Sequence, residues 1–211
     1  GKTSILREAQ RRLTLDFPEP DDWGDARYQP VVRAIIPSSP TSLKINLTLL
    51  WKLGWPLTTT IHKTADLKVV ELLQVQATRL VEIDNVHVIL TANGVARRDT
   101  LDAFRFLMSA GNVPTVVAGL DVAEDIFSDD PELASRSIIL RLPPWAPGEA
   151  SQRLIRALSR GMGLNEPDRL AEGEFAARIW EASGGVTGNF KRVLRWSAKV
   201  AKRNGHSVIG H

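Results

Sequence analysis

Apolar residues recur at helical spacing from Ser4 to Leu15, with Ile5, Leu6, Ala9 and Leu13 on one face, and the pattern breaks at Pro18 and Pro20. It predicts a helix that ends in a loop. The β-branched run Val31-Val32-Arg33-Ala34-Ile35-Ile36, bounded by Pro30 and Pro37, predicts a buried strand. Thr41 or Ser42 then caps a helix running through Leu43, Leu47, Leu50 and Leu53 to Gly54. A second amphipathic helix is expected over 65–78, with Leu67, Val70, Leu73 and Ala77 on one face. Leu80-Val81-Glu82-Ile83-Asp84 follows as an apolar strand interrupted by Glu82 and ending in a carboxylate. A helix over about 99–110, a Gly111-Asn112 turn, a strand over 113–119, a short helix near 122–127 and a strand over 137–142 complete this half. Strands alternating with helices mean an α/β fold with a mainly parallel sheet.

After Pro143-Pro144-Trp145-Ala146-Pro147 no comparable strand run follows until the last few residues. Helical stretches are expected over about 148–160, 166–182 and 188–203, separated by Gly161-Met162-Gly163 and Ser183-Gly184-Gly185. The Pro-rich stretch therefore divides an α/β domain, 1–143, from a small helical domain, 148–211.

Composition narrows the class. The chain has 211 residues, 43% hydrophobic and 24% charged, close to globular averages, which rules out disorder and fibrous repeats as the main architecture. No apolar run approaches the roughly 18–20 residues needed to cross a bilayer, and the first residues lack the apolar core of a secretory signal. A soluble, cytoplasmic protein with no membrane partner is expected. The absence of cysteine excludes a disulfide framework, a thiolate zinc site and a cysteine nucleophile. His62, His87, His206 and His211 are too scattered to suggest a metal cluster.

Net charge is only +3, but it is segregated along the chain. Glu19, Asp21, Asp22 and Asp25 make an acidic Pro/Asp loop. Lys191, Arg192, Arg195, Lys199, Lys202 and Arg203 lie in a stretch without an acid. That basic stripe suits phosphate or an acidic protein, or is a solvated face whose stems cover apolar neighbours.

Gly1-Lys2-Thr3-Ser4 running into a helix is the second half of a phosphate-binding loop, G-x-x-x-x-G-K-[ST]. Backbone N–H groups at the helix start bind phosphate, the Lys2 ammonium reaches the β and γ phosphates, and the Thr3 hydroxyl ligates Mg²⁺. Asp84, at the end of an apolar strand, stands where a Walker-B carboxylate would hold the same ion. Together they point to an ATP and Mg²⁺ site. A complete loop needs a preceding strand and a first glycine, neither of which is present before Gly1, so a fragment of a longer protein is expected.

With these motifs and Asp129-Asp130-Pro131-Glu132-Leu133-Ala134-Ser135-Arg136, the sequence resembles the TniB/TnsC group of AAA+ ATPases. These are transposition regulators of bacterial transposons, including CRISPR-associated ones. The resemblance also runs through Ile36-Pro37, Ile83-Asp84-Asn85-Val86-His87, Val116-Val117-Ala118-Gly119 and Gly184-Gly185-Val186-Thr187-Gly188. It implies a P-loop AAA+ core with a helical lid that assembles, when ATP is bound, as a ring or helical filament on duplex DNA. Arg136 falls at the position of the arginine finger that completes a neighbouring subunit's site. Lys191 or Arg192 falls where AAA+ lids carry a second sensor cation.

Departures from the family pattern matter as much. Asn85 replaces the usual Glu that polarises the attacking water, and an amide cannot accept that proton, so general-base help of about 10²–10⁴-fold is lost. Leu120 and Asp121 follow the sensor strand where a hydrogen-bonding residue is common. Slow or absent hydrolysis is expected, with ATP as a switch.

For DNA, the polar and basic loops beside the second helix are candidates: Ser38, Ser39, Thr41 and Lys44 before it, and Thr58, Thr59, Thr60 and Lys63 after it. Proteins of the resembling group turn these regions toward a central pore. Phosphate contacts there supply salt-sensitive, nearly sequence-independent affinity, while the same hydroxyls also suit helix capping. Trp23, Trp51, Trp55, Trp145, Trp180 and Trp196 are read as packing residues rather than base-stacking platforms.

The sequence thus reads as an ATP-binding AAA+ regulator that oligomerises on target DNA and recruits transposase and a TniQ-type target selector. The alternatives are an active AAA+ ATPase of replication-initiator or helicase-loader type, and a degenerate P-loop interaction module.

Overall fold

The computed structural model describes residues 1–57 and 63–210. One compact body comprises Lys2–Arg141 and a second begins at Leu142.

The first body is built on strands β1 (Val31–Ile35), β2 (Leu80–Asp84) and β3 (Thr115–Ala118), all parallel and in that spatial order. Register pairs Arg33 with Glu82, Ile35 with Asp84 and Asp84 with Ala118. β2 is central and buried along its whole length. Residues alternate across a pleated sheet, so Val32, Ala34, Val81 and Ile83 share one face and Arg33, Glu82 and Asp84 the other. The first face is apolar and packs with α2 (Ser42–Lys52), α3 (Ala65–Val75) and α4 (Gly94–Ala110) into a core that includes Leu49, Leu50, Leu73 and Phe104. α1 (Lys2–Asp16) supplies the contact to the polar face, through Thr3.

Local chemistry sets the helix starts. Thr41 caps α2 by accepting from the Lys44 N–H, and Asn93 caps α4 by accepting from the Ala96 N–H. α4 therefore begins five residues before the expected start at 99, since the apolar pattern that marks it, Leu101, Phe104 and Leu107, lies deeper in the helix than its cap. The turn after β3 leads through Asp121–Ala123 into α5 (Glu124–Ser128). Then Asp130 caps α6 (Pro131–Arg136), whose first residue is a proline that needs no N–H partner.

The expected strand over 137–142 does not form. Ile138 is 89% and Leu140 83% exposed, and among the described residues nothing bonds to the outer edge of β3. An apolar β-branched run becomes a strand only where a ladder is available to join.

In the second body α7 (Glu149–Gly161), α8 (Pro167–Leu170), α9 (Gly173–Ser183) and α10 (Thr187–Arg203) enclose Ile155, Leu170, Ile179, Phe190 and Leu194. The single helix expected over 166–182 is two, divided at Ala171 and Glu172 before Gly173 at φ 53°. The Trp145 carbonyl accepts from Trp180 Nε1 at 2.7 Å, and its N–H donates to the Gly185 carbonyl at 2.8 Å. Gly185 has φ 71°, and a Cβ there would lie 2.4 Å from the Trp145 carbonyl oxygen, so only glycine fits.

Trp55 and Trp180 take packing places, as read from the sequence, while Trp145 is exposed and held by hydrogen bonds to Thr187 and Trp180. Trp51 and Trp196 do not take packing places. They are 63% and 60% exposed because Ile45, Leu49 and Leu50 on α2, and Phe190 and Leu194 on α10, already fill the buried faces.

Candidate nucleotide site

The polar face of the sheet gathers the chemistry. Asp84 ends β2 and is nearly buried, and its two oxygens are divided between different partners. Oδ1 accepts the Asn85 N–H at 2.9 Å. Oδ2 accepts the Thr3 hydroxyl at 2.9 Å and the Arg33 guanidinium at 3.1 Å. The chain turns out of β2 at Asn85, φ 65° and ψ 32°, a left-handed conformation that asparagine tolerates better than most residues. The turn is closely backed by Gly119, where a Cβ would lie 2.7 Å from Val86 Cγ1 and 2.9 Å from the Ala123 Cβ. Glycine at the end of β3 therefore lets β3 approach the turn that carries Asp84 and Asn85.

Beside Asp84, Glu82 is fully buried, and neither carboxylate oxygen has a hydrogen-bond partner among the described residues. Arg33 Nε stands 4.0 Å from its Oε2. Burial pushes the Glu82 carboxyl above its ordinary value, the Arg33 charge pulls it back, and the Asp84 charge pushes it up again. Two carboxylates thus share one guanidinium on the face beneath α1. In the sequence Glu82 is an interruption of an apolar strand, with nothing to pair it with Arg33. Each is a charged residue inside an apolar strand run, with complementary sign, and the register of β1 against β2 is what pairs them.

The structure brings Thr3, Asp84 and Asn85 together. Lys2 lies in the first turn of α1, half-buried, and Ser4 one residue beyond Thr3 is exposed. Arg136, at the end of α6, donates to Ser109 Oγ at 2.7 Å and pairs with Glu132 at 3.4 Å, so it is tied to the last turn of α4. Lys191 and Arg192 are exposed on α10 in the second body. Of the DNA candidates, Lys44 bonds the Ser38 and Ser39 carbonyls at 3.5 and 2.9 Å and so closes its own loop. Lys63 is exposed, while Thr58, Thr59 and Thr60 lie outside the described residues.

A hydroxyl and a carboxylate oxygen 2.9 Å apart at the start of a helix and the end of a strand are hard donors of the kind Mg²⁺ takes, and they fit that ion. Residues 1–147 match the family described as TniB, Bacterial TniB protein. The chain belongs to the TniB family. Among curated proteins no match was found. TniB proteins are transposition-related P-loop NTPases, a group that generally uses nucleotide with Mg²⁺. The TniB match takes in Gly1, Lys2, Thr3, Ser4, Asp84, Asn85 and Arg136, and stops short of Lys191 and Arg192. No helix among the described residues is long and apolar enough to cross a membrane.

Proposed function

We propose that this TniB protein is an ATP-dependent regulator of DNA transposition that oligomerises on target duplex DNA and recruits transposase, with nucleotide binding as the switch. The observation that carries the reading is the hydroxyl of Thr3, beside Lys2 at the head of α1, seated on the carboxylate that ends the central strand. Lys2 engages the β and γ phosphates. Thr3 and Asp84 hold Mg²⁺, which when bound neutralises phosphate charge. Asn85 leaves the attacking water without a base, so the ATP form persists. Arg136, at an exposed helix end, serves a neighbouring subunit's nucleotide, and Lys191 or Arg192 is a second sensor cation. A target selector of TniQ type and the transposase dock on the assembled oligomer.

The deciding experiment is negative-stain microscopy with parallel sedimentation of the full-length protein and duplex DNA in ATP, in ADP and without nucleotide. Rings or filaments confined to the ATP samples, lost in Lys2→Ala and Arg136→Ala, are expected. Monomers under all three conditions overturn the reading.

A further inference from the structure

The second body divides its cations sharply. Arg153, Arg156, Arg160, Arg169 and Arg178, all outside α10, are each paired with a carboxylate at 3.2 Å or less. On α10 the cations Lys191, Arg192, Arg195, Lys199, Lys202 and Arg203 are exposed, and no ion pair holds any of them among the described residues. The last acid before them is Glu181. At about 100° per residue these six positions fall within one arc of about 120°. Phe190, Leu194 and Ala201 are buried on the opposite side against α9 and α7, while Trp196 and Val200 stay exposed beside the row.

We propose that the exposed face of α10 carrying Arg195, Lys199, Lys202 and Arg203 is a nucleic-acid contact surface that grips the phosphate backbone of duplex DNA, separate from the loops beside α2 and from the sensor candidates Lys191 and Arg192. The arrangement selects the partner. A membrane surface takes a basic helix through a broad apolar face, and here Phe190, Leu194 and Ala201 are spent on the core, leaving only Trp196 and Val200 outside it. A row of unpaired cations with no acid among them fits a regular line of negative charge. From Arg195 to Arg203 the helix rises about 12 Å, alongside which a duplex carries about seven phosphate charges. Trp196, 60% exposed at one edge of the row with Lys199 Nζ 5.3 Å from its ring, is a built-in reporter of contact. The inference rests on the reading that this protein works on DNA, and adds a surface to it.

The test compares the full-length protein with Arg195→Gln/Lys199→Gln/Lys202→Gln by fluorescence anisotropy of a labelled 30-base-pair duplex from about 50 to 300 mM salt. Each phosphate contact contributes about 0.9 to the slope of log affinity against log salt. The triple variant is therefore expected to lose at least tenfold in affinity near 100 mM salt and to flatten the slope by about 2 to 3, while nucleotide affinity is unchanged. Wild-type binding with no salt dependence, or none at all, overturns both the DNA reading and this surface. Wild-type binding that the triple variant reproduces in affinity and slope overturns the surface alone. So does a variant that keeps DNA binding and loses binding to poly-glutamate, which assigns the row to an acidic protein.

Discussion

The Thr3 hydroxyl reaches Asp84 Oδ2 at 2.9 Å across 81 positions of sequence. That contact joins the head of α1 to the end of β2, and it divides labour between neighbours in the chain. On the proposed function Lys2 carries charge for phosphate, whereas Thr3 and Asp84 offer oxygen to a metal. With a fluorescent ATP analogue, Lys2→Ala is expected to lose at least tenfold in affinity whether or not Mg²⁺ is present. Thr3→Ala is expected to lose the Mg²⁺-dependent part alone, so that its affinity in Mg²⁺ falls to the value in EDTA. Equal losses for Thr3→Ala in both buffers would assign the hydroxyl to structure rather than to metal.

Arg33 is shared by Asp84 at 3.1 Å and Glu82 at 4.0 Å, and among the described residues Glu82 has no other partner. Removing the guanidinium leaves two buried carboxylates facing each other, so Arg33→Met is expected to cost about 2–4 kcal/mol of stability. Replacing the charged pair with an apolar one, Arg33→Met/Glu82→Met, is expected to recover at least half of that loss, since a buried pair is often no better than well-packed apolar residues. Chemical denaturation of the three proteins measures this directly. A double variant no more stable than Arg33→Met shows that the pair does not account for the loss.

Much of this arrangement was legible in the sequence, for identifiable reasons. β1 and β2 were readable because dense β-branched runs stop at Pro37 and at the Asp84 turn, and the Gly-Lys-Thr-Ser run marked the head of α1. The run from Ser137 to Leu142 carries the same local signal without forming a strand, because pairing is a property of the neighbour and not of the run. The break between α8 and α9 escaped because a helical period continues through Leu170 and Ile179 while Gly173 takes a left-handed turn between them. The Arg33–Glu82 pairing needed the register of β1 against β2, which one strand alone does not show.

Asp130 couples a helix cap to a salt bridge. Its carboxylate accepts the Glu132 and Leu133 N–H groups at 3.2 and 3.0 Å and also pairs with Arg105. Burial alone would raise its pKa, but those N–H groups and the Arg105 charge outweigh burial and hold it below the ordinary 3.8. Asp130→Ala loses the cap and the pair and is expected to destabilise the protein by about 1–2 kcal/mol. Asp130→Asn keeps an acceptor and is expected to lose less. Because the folded value lies below the unfolded one, the stabilisation is complete above about pH 5 and lost as pH falls through the folded value. The gap between wild type and Asp130→Asn in denaturation midpoints is therefore expected to be equal at pH 7 and pH 5 and to shrink at pH 3. A gap that widens on acidification contradicts this.

Asn85 sits at φ 65° with its N–H on Asp84 Oδ1, so its backbone helps to hold the carboxylate whatever its side chain does. Asn85→Glu leaves that hydrogen bond in place and adds the proton acceptor that an amide lacks. Two opposed effects follow. Glutamate is less at ease than asparagine in a left-handed turn, so a stability loss of about 1 kcal/mol is expected. A positioned general base contributes about 10²–10⁴-fold to such a step, so ATP turnover on DNA is expected to rise at least tenfold, with ATP-dependent assemblies becoming shorter-lived as their nucleotide is consumed. Steady-state phosphate release and the lifetime of DNA-bound oligomers, measured on the same preparation, read both consequences. If Asn85→Glu folds and binds ATP but turns over no faster than wild type, the missing base is not what keeps the nucleotide intact, and the switch lies in another part of the site.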